Sequence, residues 1–385
     1  MIALLLQHSA LAFKVDATVP PTSSRPSSCS FDNEEQGNAY AQASFGDPVH
    51  ETMTALSIQR AKEHSTSCSA DDKSIEAFWK KPEKPQRTIL ACCRYTKGSR
   101  FCRCLNNDIR KAAFADEDPV KTGSRWPDDP CHMLARGDTY FIMPQWIVVG
   151  RSSWGNNLAY SSHLHYFAFM HSMASSGQKA SMSGERTVTT RLRILVWLEF
   201  AFKVAEGVIP STARFSEVPG YLDSKEAQEQ FRTVFPGYVG SKDWTVDFFF
   251  TGIYNADARY VQQLALGSTL HTMQDAFSDS HVKRRGRPKA PAPVTNPGLV
   301  QQFLDYKLHN KVLLHPTADA RPPDMSDAPK DKAALHPVSV GAEVVSCAAA
   351  KRPTGQSNWK KAMQALDPVY RLDQPHEKYS GKGAY

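Results

Sequence analysis

Two histidines, with an aspartate four residues after the first of them, stand in one short segment, His271-Thr-Met-Gln-Asp275-Ala-Phe-Ser-Asp-Ser-His281. Imidazole and carboxylate groups are common zinc ligands in proteins. Residues four apart lie on one face of a helix, so His271 and Asp275 could bind the same ion. On a straight helix His281 would lie about 15 Å from His271, which is too far for one ion. Either the chain bends back after the helix ends, or the segment serves more than one ion.

A multi-metal site needs ligands from several segments, and the chain offers them. One histidine opens a helical pattern, an aspartate lies in a proline-bounded turn, three histidines stand among aromatic residues, and a later pair repeats the four-residue spacing. These candidates are His50, Asp128, His163, His165, His171, His315 and Asp319. Nitrogen and oxygen donors of this kind form the ligand set of zinc rather than of calcium.

Some candidates have competitors. We expect His165 and His171 to pack among their aromatic neighbours, or to orient a ligand, rather than to bind the metal. His163 is therefore the preferred histidine of that group. Asp129 could replace Asp128, because both flank the same turn. The remaining histidines are weak competitors of His315 or are expected to be solvated or structural, and they are His8, His64, His132, His309, His336 and His376.

Taken together, these motifs resemble the zinc-dependent phospholipase C family and the related zinc-dependent single-strand nucleases. The matching anchors are His271, Asp275 and His281 as H-x3-D-x5-H, His315 and Asp319 as H-x3-[ED], Trp126 and Asp128 as W-x-D, His163 after that turn, and His50 at a helix start. They run from about residue 45 to about residue 320. The first motif is quite specific, and the order of the five anchors is more so.

The resemblance implies an all-helical enzyme that holds two or three zinc ions in a cleft between helices. In that arrangement Asp128, His163, His271 and Asp275 surround one ion, His281, His315 and Asp319 hold a second, and His50 helps to hold a third, with Asp275 bridging.

One feature departs from the family. Its members bind the third ion through the amino group and carbonyl of an N-terminal tryptophan, whereas the first tryptophan here is Trp79, which follows His50. Asp47 or a backbone group near Phe45 could substitute for it. The third ion therefore depends on a donor that the family does not use.

The implied chemistry is phosphodiester hydrolysis. Zinc lowers the pKa of a bound water to about 7, and Asp128 could act as the general base. We expect a phospholipase C that acts on phospholipid at a membrane surface and cuts the glycerol–phosphate bond. The alternatives are a nuclease of the related family, with Tyr166, Phe167 and Phe169 as candidates for base stacking, and an inactive toxin or interaction module with the same fold. Motifs of the G-x-S-x-G and phosphate-loop kinds do not occur.

Charge and cysteine content bear on the substrate class and on the cellular compartment. The net charge of +7 favours an anionic substrate, lipid or nucleic acid. Basic residues cluster over 283–289, either as a solvated loop or as a phosphate-attracting rim.

Eight cysteines lack zinc-ribbon spacing, and those between Cys68 and Cys131 could be reduced or form disulfides of unknown pairing. We expect export rather than a cytoplasmic location, with at most a weak signal-like run over 2–13 and no membrane span.

The scarcity of strand-type alternation predicts a mainly α architecture. We expect a loosely ordered arm over residues 1–44, one multi-helix catalytic domain with irregular insertions over 45–350, and a polar, weakly structured tail over 351–385. Residues 65–125 are predicted to be irregular. Helical patterns start near residue 47 and occupy 158–175, 187–207, 224–234, 256–282, 298–312 and 334–350.

Overall fold

The computed structural model is mainly helical, as the sequence predicts. It describes residues 15–16, 45–46, 49–63, 67–68, 70–79, 118–125, 127, 167–175, 183–235, 244–251, 254–285, 297–305 and 335–373. The helices are α1 (Val49–Glu63), α2 (Asp72–Trp79), α3 (Pro119–Arg125), α4 (Ser183–Ala205), α5 (Lys225–Val234), α6 (Val246–Thr251), α7 (Ala258–Asp275), α8 (Pro337–Ala349) and α9 (Trp359–Leu366). Short 3-10 helices span Ala168–His171, Val218–Tyr221 and Asp367–Tyr370.

Strands are few and form two small sheets among these residues. Strands β1 (Val15–Asp16) and β2 (Phe45–Gly46) pair in parallel. Strands β3 (Val282–Arg285) and β4 (Leu299–Phe303) pair antiparallel, with an irregularity in the register after Lys283. The second sheet begins shortly after α7 ends, so it fixes the path of the chain beyond that helix.

Helix α7 lies at the centre of the described core. Asp257 caps it by accepting a hydrogen bond from the backbone N–H of Tyr260 at 3.0 Å. An accepting side chain at this position satisfies an N–H group that the helix itself leaves unpaired. The helix is buried along nearly its whole length and packs against α1, α3, α4, α6 and α8. From Gln263 to Asp275 the polar groups on α7 are therefore surrounded by protein.

Helix α4 confirms the helix predicted over residues 187–207, but its charged residues do not form a polar face. Glu199 and Lys203 are both buried and pair at 2.8 Å, one turn apart. Lys203 also donates to Asp223 at 2.5 Å. Burial raises the pKa of Glu199, although Lys203 opposes that shift. The charges satisfy one another inside the protein, as buried ions must.

The crossing of α3 and α7 depends on two glycines. A Cβ atom at Gly123 would lie 2.2 Å from the carbonyl oxygen of Leu264, and one at Gly267 would lie 2.1 Å from that of Val120. Side chains cannot fit at such distances, so only glycine allows the two backbones to approach this closely. The crossing brings the end of α3 against the last turns of α7.

A disulfide joins the start and the end of the described core. Cys68, just after α1, is bonded to Cys347 in α8, with the two Cα atoms 4.9 Å apart. The pairing does not follow from the sequence, where most of the cysteines cluster between residues 68 and 131 and Cys347 lies far from them. Gly341 supports the same helix pair, because a Cβ atom there would lie 2.3 Å from the hydroxyl of Ser57. Helices α1 and α8 are thus held together by close packing and by a covalent bond.

Four predictions of local structure were wrong. The helix expected over 256–282 ends at Asp275, and the one expected over 298–312 begins as strand β4. The part of 158–175 that the structure describes contains one 3-10 helix rather than a long α-helix. The irregular region over 65–125 contains α2 and α3. Pairing of β3 with β4 is a long-range contact, and it overrides local helical spacing.

The expected weakly structured tail is also wrong for residues 351–373. Helix α9 packs into the core through Trp359 and Leu366, and Tyr370 is fully buried beside it. Glu206, just after α4, accepts a hydrogen bond from the backbone N–H of Asn358 at 2.8 Å and so anchors the start of α9. The polar composition of the segment concealed a few large apolar residues at helical spacing. Residues 374–385 lie outside the described part.

No helix among the described residues is long and apolar enough to cross a membrane. Of the arm expected over residues 1–44, only Val15–Asp16 is described. The core begins at Val49, close to the predicted start near residue 47.

Candidate metal centre

Half of the predicted ligands fall within the described residues. They are His50, His271, Asp275 and His281, and all four are fully buried. The structure brings them together at the end of α7. The other predicted ligands, together with His165 and Asp129, lie outside the described residues, and they are Asp128, His163, His315 and Asp319.

The carboxylate of Asp275 is the centre of this group. Its Oδ1 lies 3.4 Å from Nε2 of His50, and its Oδ2 lies 3.0 Å from Nε2 of His271. Ligand atoms of these three residues all lie within 4.8 Å of one another, close enough to hold a metal ion. The predicted pairing of residues four apart on one helix face is confirmed for His271 and Asp275.

His281 reaches the same carboxylate because the chain turns back. Helix α7 ends at Asp275, and the backbone N–H groups of Phe277 and Ser278 close turns onto residues 274 and 275. Nδ1 of His281 then lies 3.8 Å from Oδ2 of Asp275. Of the two arrangements that the spacing allowed, the chain adopts the bend after the helix end.

His171 also belongs to this group. Its Nδ1 lies 3.1 Å from Oδ2 of Asp275 and 3.0 Å from Nε2 of His271. From the sequence we expected this histidine to pack among aromatic residues or to orient a ligand. The structure puts its ring in direct contact with both candidate ligands. The sequence signal was weak, since His171 is one of three histidines in its segment and nothing in the local pattern distinguishes it.

The protons of three rings are fixed by acceptors behind them. Nδ1 of His271 donates to the carbonyl oxygen of Ser124 at 2.7 Å, and Nδ1 of His50 donates to Oε1 of Gln274 at 2.7 Å. Nδ1 of His281 donates to the carbonyl oxygen of His171 at 2.5 Å. Carbonyl and amide oxygens only accept, so each Nδ1 carries the proton. A ring whose single proton is on Nδ1 offers its Nε2 atom to a metal, which is the form in which histidine binds one.

Each acceptor is held by a different element. The glycine crossing of α3 and α7 places Ser124 beside His271. Thr54 on α1 accepts a hydrogen bond from the amide of Gln274 at 3.1 Å. The third acceptor, the carbonyl oxygen of His171, lies at the end of the 3-10 helix Ala168–His171. The next residue, Ser172, is in the left-handed region, with φ of 49°. Such a conformation is uncommon for serine, and the surrounding contacts have to hold it.

The segment around His171 is fixed by a polar network in the core. The hydroxyls of Ser172 and Tyr370 both donate to the carbonyl oxygen of Thr272, at 2.7 and 3.1 Å. Burial raises the pKa of Tyr370, so its hydroxyl stays protonated and can donate. The hydroxyl of Thr272 in turn donates to the carbonyl oxygen of Met170 at 2.7 Å. The C-terminal segment, through Tyr370, thus helps to place a histidine of the cluster.

Two other expectations concern residues near the cluster. Phe167 and Phe169 pack in the core, 3% and 1% exposed, so they form no open slot for a base. Residues 283–285 belong to strand β3 and are not a solvated loop. Within that strand Arg284 donates to the carbonyl oxygens of Gly298, Ala276 and Val369, which is a structural role. Tyr166 and residues 286–289 lie outside the described part.

Comparison of the chain with protein-family models, curated protein sequences and solved structures finds no match.

Proposed function

We propose that this protein is a zinc-dependent phosphodiester hydrolase of the phospholipase C type. The observation that carries the metal site is the group of buried imidazole nitrogens and carboxylate oxygens around Asp275. His50 and His271 each direct Nδ1 to an acceptor behind the ring and place Nε2 beside the carboxylate. Imidazole nitrogen and carboxylate oxygen are the usual ligands of zinc.

The spacing of the donor atoms supports the same conclusion. Nδ1 of His171, Nε2 of His271 and Oδ2 of Asp275 lie 3.0–3.1 Å from one another. Zinc bonds of about 2.0–2.1 Å in a tetrahedral arrangement put neighbouring ligand atoms about 3.3 Å apart. The three atoms are thus spaced nearly as the ligands of one zinc ion would be. On loading, the ion would replace the proton that His171 otherwise shares with its two neighbours.

The two oxygens of Asp275 suggest that the centre holds more than one ion. Oδ2 serves the triad with His171 and His271, whereas Oδ1 faces His50. A carboxylate with donors on both sides can bridge two ions, which is the role that the phospholipase C resemblance assigns to Asp275. Ligands of nitrogen and oxygen favour zinc over calcium or magnesium.

Hydrolysis of a phosphodiester is the reaction that such a centre supports best. Zinc, when bound, supplies a hydroxide near neutral pH and an electrostatic clamp for phosphate oxygens. The residues of this chain would hold the ions at fixed positions, and they keep the ligand end of α7 away from bulk water. We assign Asp128 the role of general base for the attacking water, as the resemblance implies.

Phospholipid is the proposed substrate class, and nucleic acid is the alternative that the test must separate. The net charge of +7 favours either polyanion. The described aromatic residues beside the cluster, Phe167 and Phe169, are buried in the core, so they give no support for base stacking.

Metal analysis combined with two substrates tests the proposal. Purified protein should carry about two zinc ions per chain, and it should release phosphorylated head group from phosphatidylcholine vesicles. Chelation should abolish that release, and zinc should restore it. Less than one equivalent of zinc, with a melting temperature that chelation leaves unchanged, would reject the metalloenzyme. Zinc-dependent cleavage of single-stranded DNA or RNA alone would assign a nuclease, and bound zinc with neither activity would assign an inactive module.

We further propose that the protein works in an oxidising compartment. The Cys68–Cys347 bond supports this, because lasting disulfides are typical of exported proteins. Mass spectrometry of protein alkylated directly in the cells or medium that contain it should find both cysteines unmodified until a reductant is added.

A further inference from the structure

We propose that Gln274 is a positioning residue that sets His50 in its metal-binding tautomer. The inference rests on the proposed metal centre and adds a residue that the ligand motifs do not include. Gln274 lies between His271 and Asp275 in sequence, and its side chain is fully buried.

The amide of Gln274 is held at both ends. Its Oε1 accepts the Nδ1–H of His50 at 2.7 Å, and its Nε2 donates to the hydroxyl oxygen of Thr54 at 3.1 Å. Thr54 is on the same helix as His50, one turn later. In the structure Oε1 is the end of the amide that faces His50. An amide oxygen can only accept, so in this orientation it holds a proton on Nδ1 of that ring.

This contact decides between two states of His50 that would otherwise compete. Nε2 of His50 lies 3.4 Å from Oδ1 of Asp275. A neutral histidine beside a carboxylate gains most by placing its proton on the nearer nitrogen and donating it. That tautomer would block Nε2 as a ligand. Gln274 reverses the preference, because an acceptor behind the ring at 2.7 Å keeps the proton on Nδ1.

The same contact also joins two helices at the site. Helix α1 contributes His50 and Thr54, and α7 contributes Gln274 and Asp275. The ring of His50 also stacks on that of His271, with centroids 4.1 Å apart and an angle of 29° between the planes. Gln274 therefore fixes both the tautomer and the orientation of the one candidate ligand that α1 supplies.

The chain offers a matched control for a test of this role. Gln263 is on the same helix, about three turns earlier. It is also buried, and its amide donates to the carbonyl oxygen of Phe78 at 2.7 Å. Gln274→Met and Gln263→Met each remove one buried amide of similar size from α7. Only the first removes the acceptor of His50.

Two measurements distinguish loss of the contact that positions His50 from general destabilisation of the protein. Nitrogen-15 NMR of the histidine rings in zinc-free protein reports which nitrogen of His50 carries the proton. Competition with a chromophoric chelator then gives zinc affinity. In Gln274→Met we expect His50 to move toward the Nε2–H tautomer and zinc affinity to fall about 10–100-fold, the usual effect of losing such a partner. Gln263→Met should keep the wild-type tautomer and affinity, and Gln274→Glu, which keeps the acceptor, should restore both.

Two results of these measurements would contradict the role of Gln274. Equal changes in the two methionine variants, or a wild-type tautomer in Gln274→Met, would overturn it. If Gln274→Met does not fold, Thr54→Val gives the same test, because it frees the amide to rotate and should mix the tautomers of His50. If the wild-type protein binds no zinc, the proposed function fails. The NMR measurement on zinc-free protein still decides the role of Gln274.

Discussion

Replacement of Gly267 by alanine should weaken zinc binding, although the added methyl group would face α3 and not a candidate ligand. Gly267 is inside α7, where alanine is intrinsically favoured over glycine by about 0.8–1.0 kcal/mol. In an uncrowded helix the change would therefore stabilise the protein. Here the added Cβ atom would lie 2.1 Å from the carbonyl oxygen of Val120 and 2.5 Å from the backbone nitrogen of Ser124. Both neighbours are backbone atoms of α3, so neither can rotate away.

The size of the effect follows from these distances. An ordinary contact begins near 3.4 Å, so α3 and α7 must separate by about 1 Å, and overpacking of this kind costs about 1–3 kcal/mol. The same shift would stretch the 2.7 Å hydrogen bond from His271 to the carbonyl of Ser124 to about 3.7 Å, beyond hydrogen-bonding range. We expect zinc affinity to fall about 10–100-fold once His271 loses that partner.

Urea unfolding of zinc-free protein and chelator competition measure the two effects separately. Gly220→Ala is the control, because a Cβ atom there has no neighbour within 4 Å. It should leave zinc affinity unchanged. A stabilised Gly267→Ala protein would show that the helices are not in the close contact described. A destabilised variant with wild-type zinc affinity would show that the carbonyl of Ser124 does not orient His271.

Other changes test the ligands, the covalent link and the buried charges. Asp275→Asn and His171→Ala should each lose more zinc affinity than the roughly 10–100-fold of an orienting partner, as measured by chelator competition; full retention in the second variant would place His171 outside the ligand set. Chelation of wild-type protein should lower its melting temperature, because zinc stabilises the native state. Serine at both Cys68 and Cys347 should lower the free energy of unfolding by about 2–5 kcal/mol, and reductant should have the same effect on wild type in urea titrations. Burial raises the pKa of Glu206, so the stability that its protonated form contributes is fully present at low pH and is lost as pH rises through that raised pKa. In Glu206→Gln the free energy of unfolding, measured by urea titration at several pH values, should decline less over this range.

Local spacing was enough to predict one pair of the candidate site. His271 and Asp275 share a face because helix geometry depends only on neighbours in sequence. The buried apolar residues of α7 and α4 have helical spacing, so these two elements were also predicted. The mainly α fold follows from the same regularity.

The contacts that complete the cluster come from distant parts of the chain. His171 is a hundred residues from His271, and His50 is further still. Which histidine of the 163–171 segment meets α7 depends on the 3-10 helix and on the hydrogen bonds of Ser172, which local sequence does not encode. His281 turns back because the chain enters β3 directly after it, and that strand exists only through pairing with β4.

Two errors have a common physical origin. Strand β4 was taken for a helix, and α9 was taken for a polar tail, because each has only a few large apolar residues. For such segments the part of the chain against which they pack decides whether a helix or a strand forms. Phe303 lies opposite Val282 in the sheet, and Trp359 packs against Phe202 of α4. Composition alone gives no information on either contact.

The cluster also explains why so much of the core converges on the end of α7. Ser124 comes from α3, Thr54 and His50 come from α1, and His171 comes from the 3-10 helix beside them. Bringing together segments so distant in sequence costs chain entropy, and burying an aspartate among imidazoles costs solvation. Packing at the glycine crossing and the disulfide of α8 offset part of these costs. An ion held by Asp275 and its histidines would offset more, because it would bind the assembled segments and not the unfolded chain. Metal binding and folding of this region should therefore be coupled, so that each variant that loosens one of these segments also lowers zinc affinity.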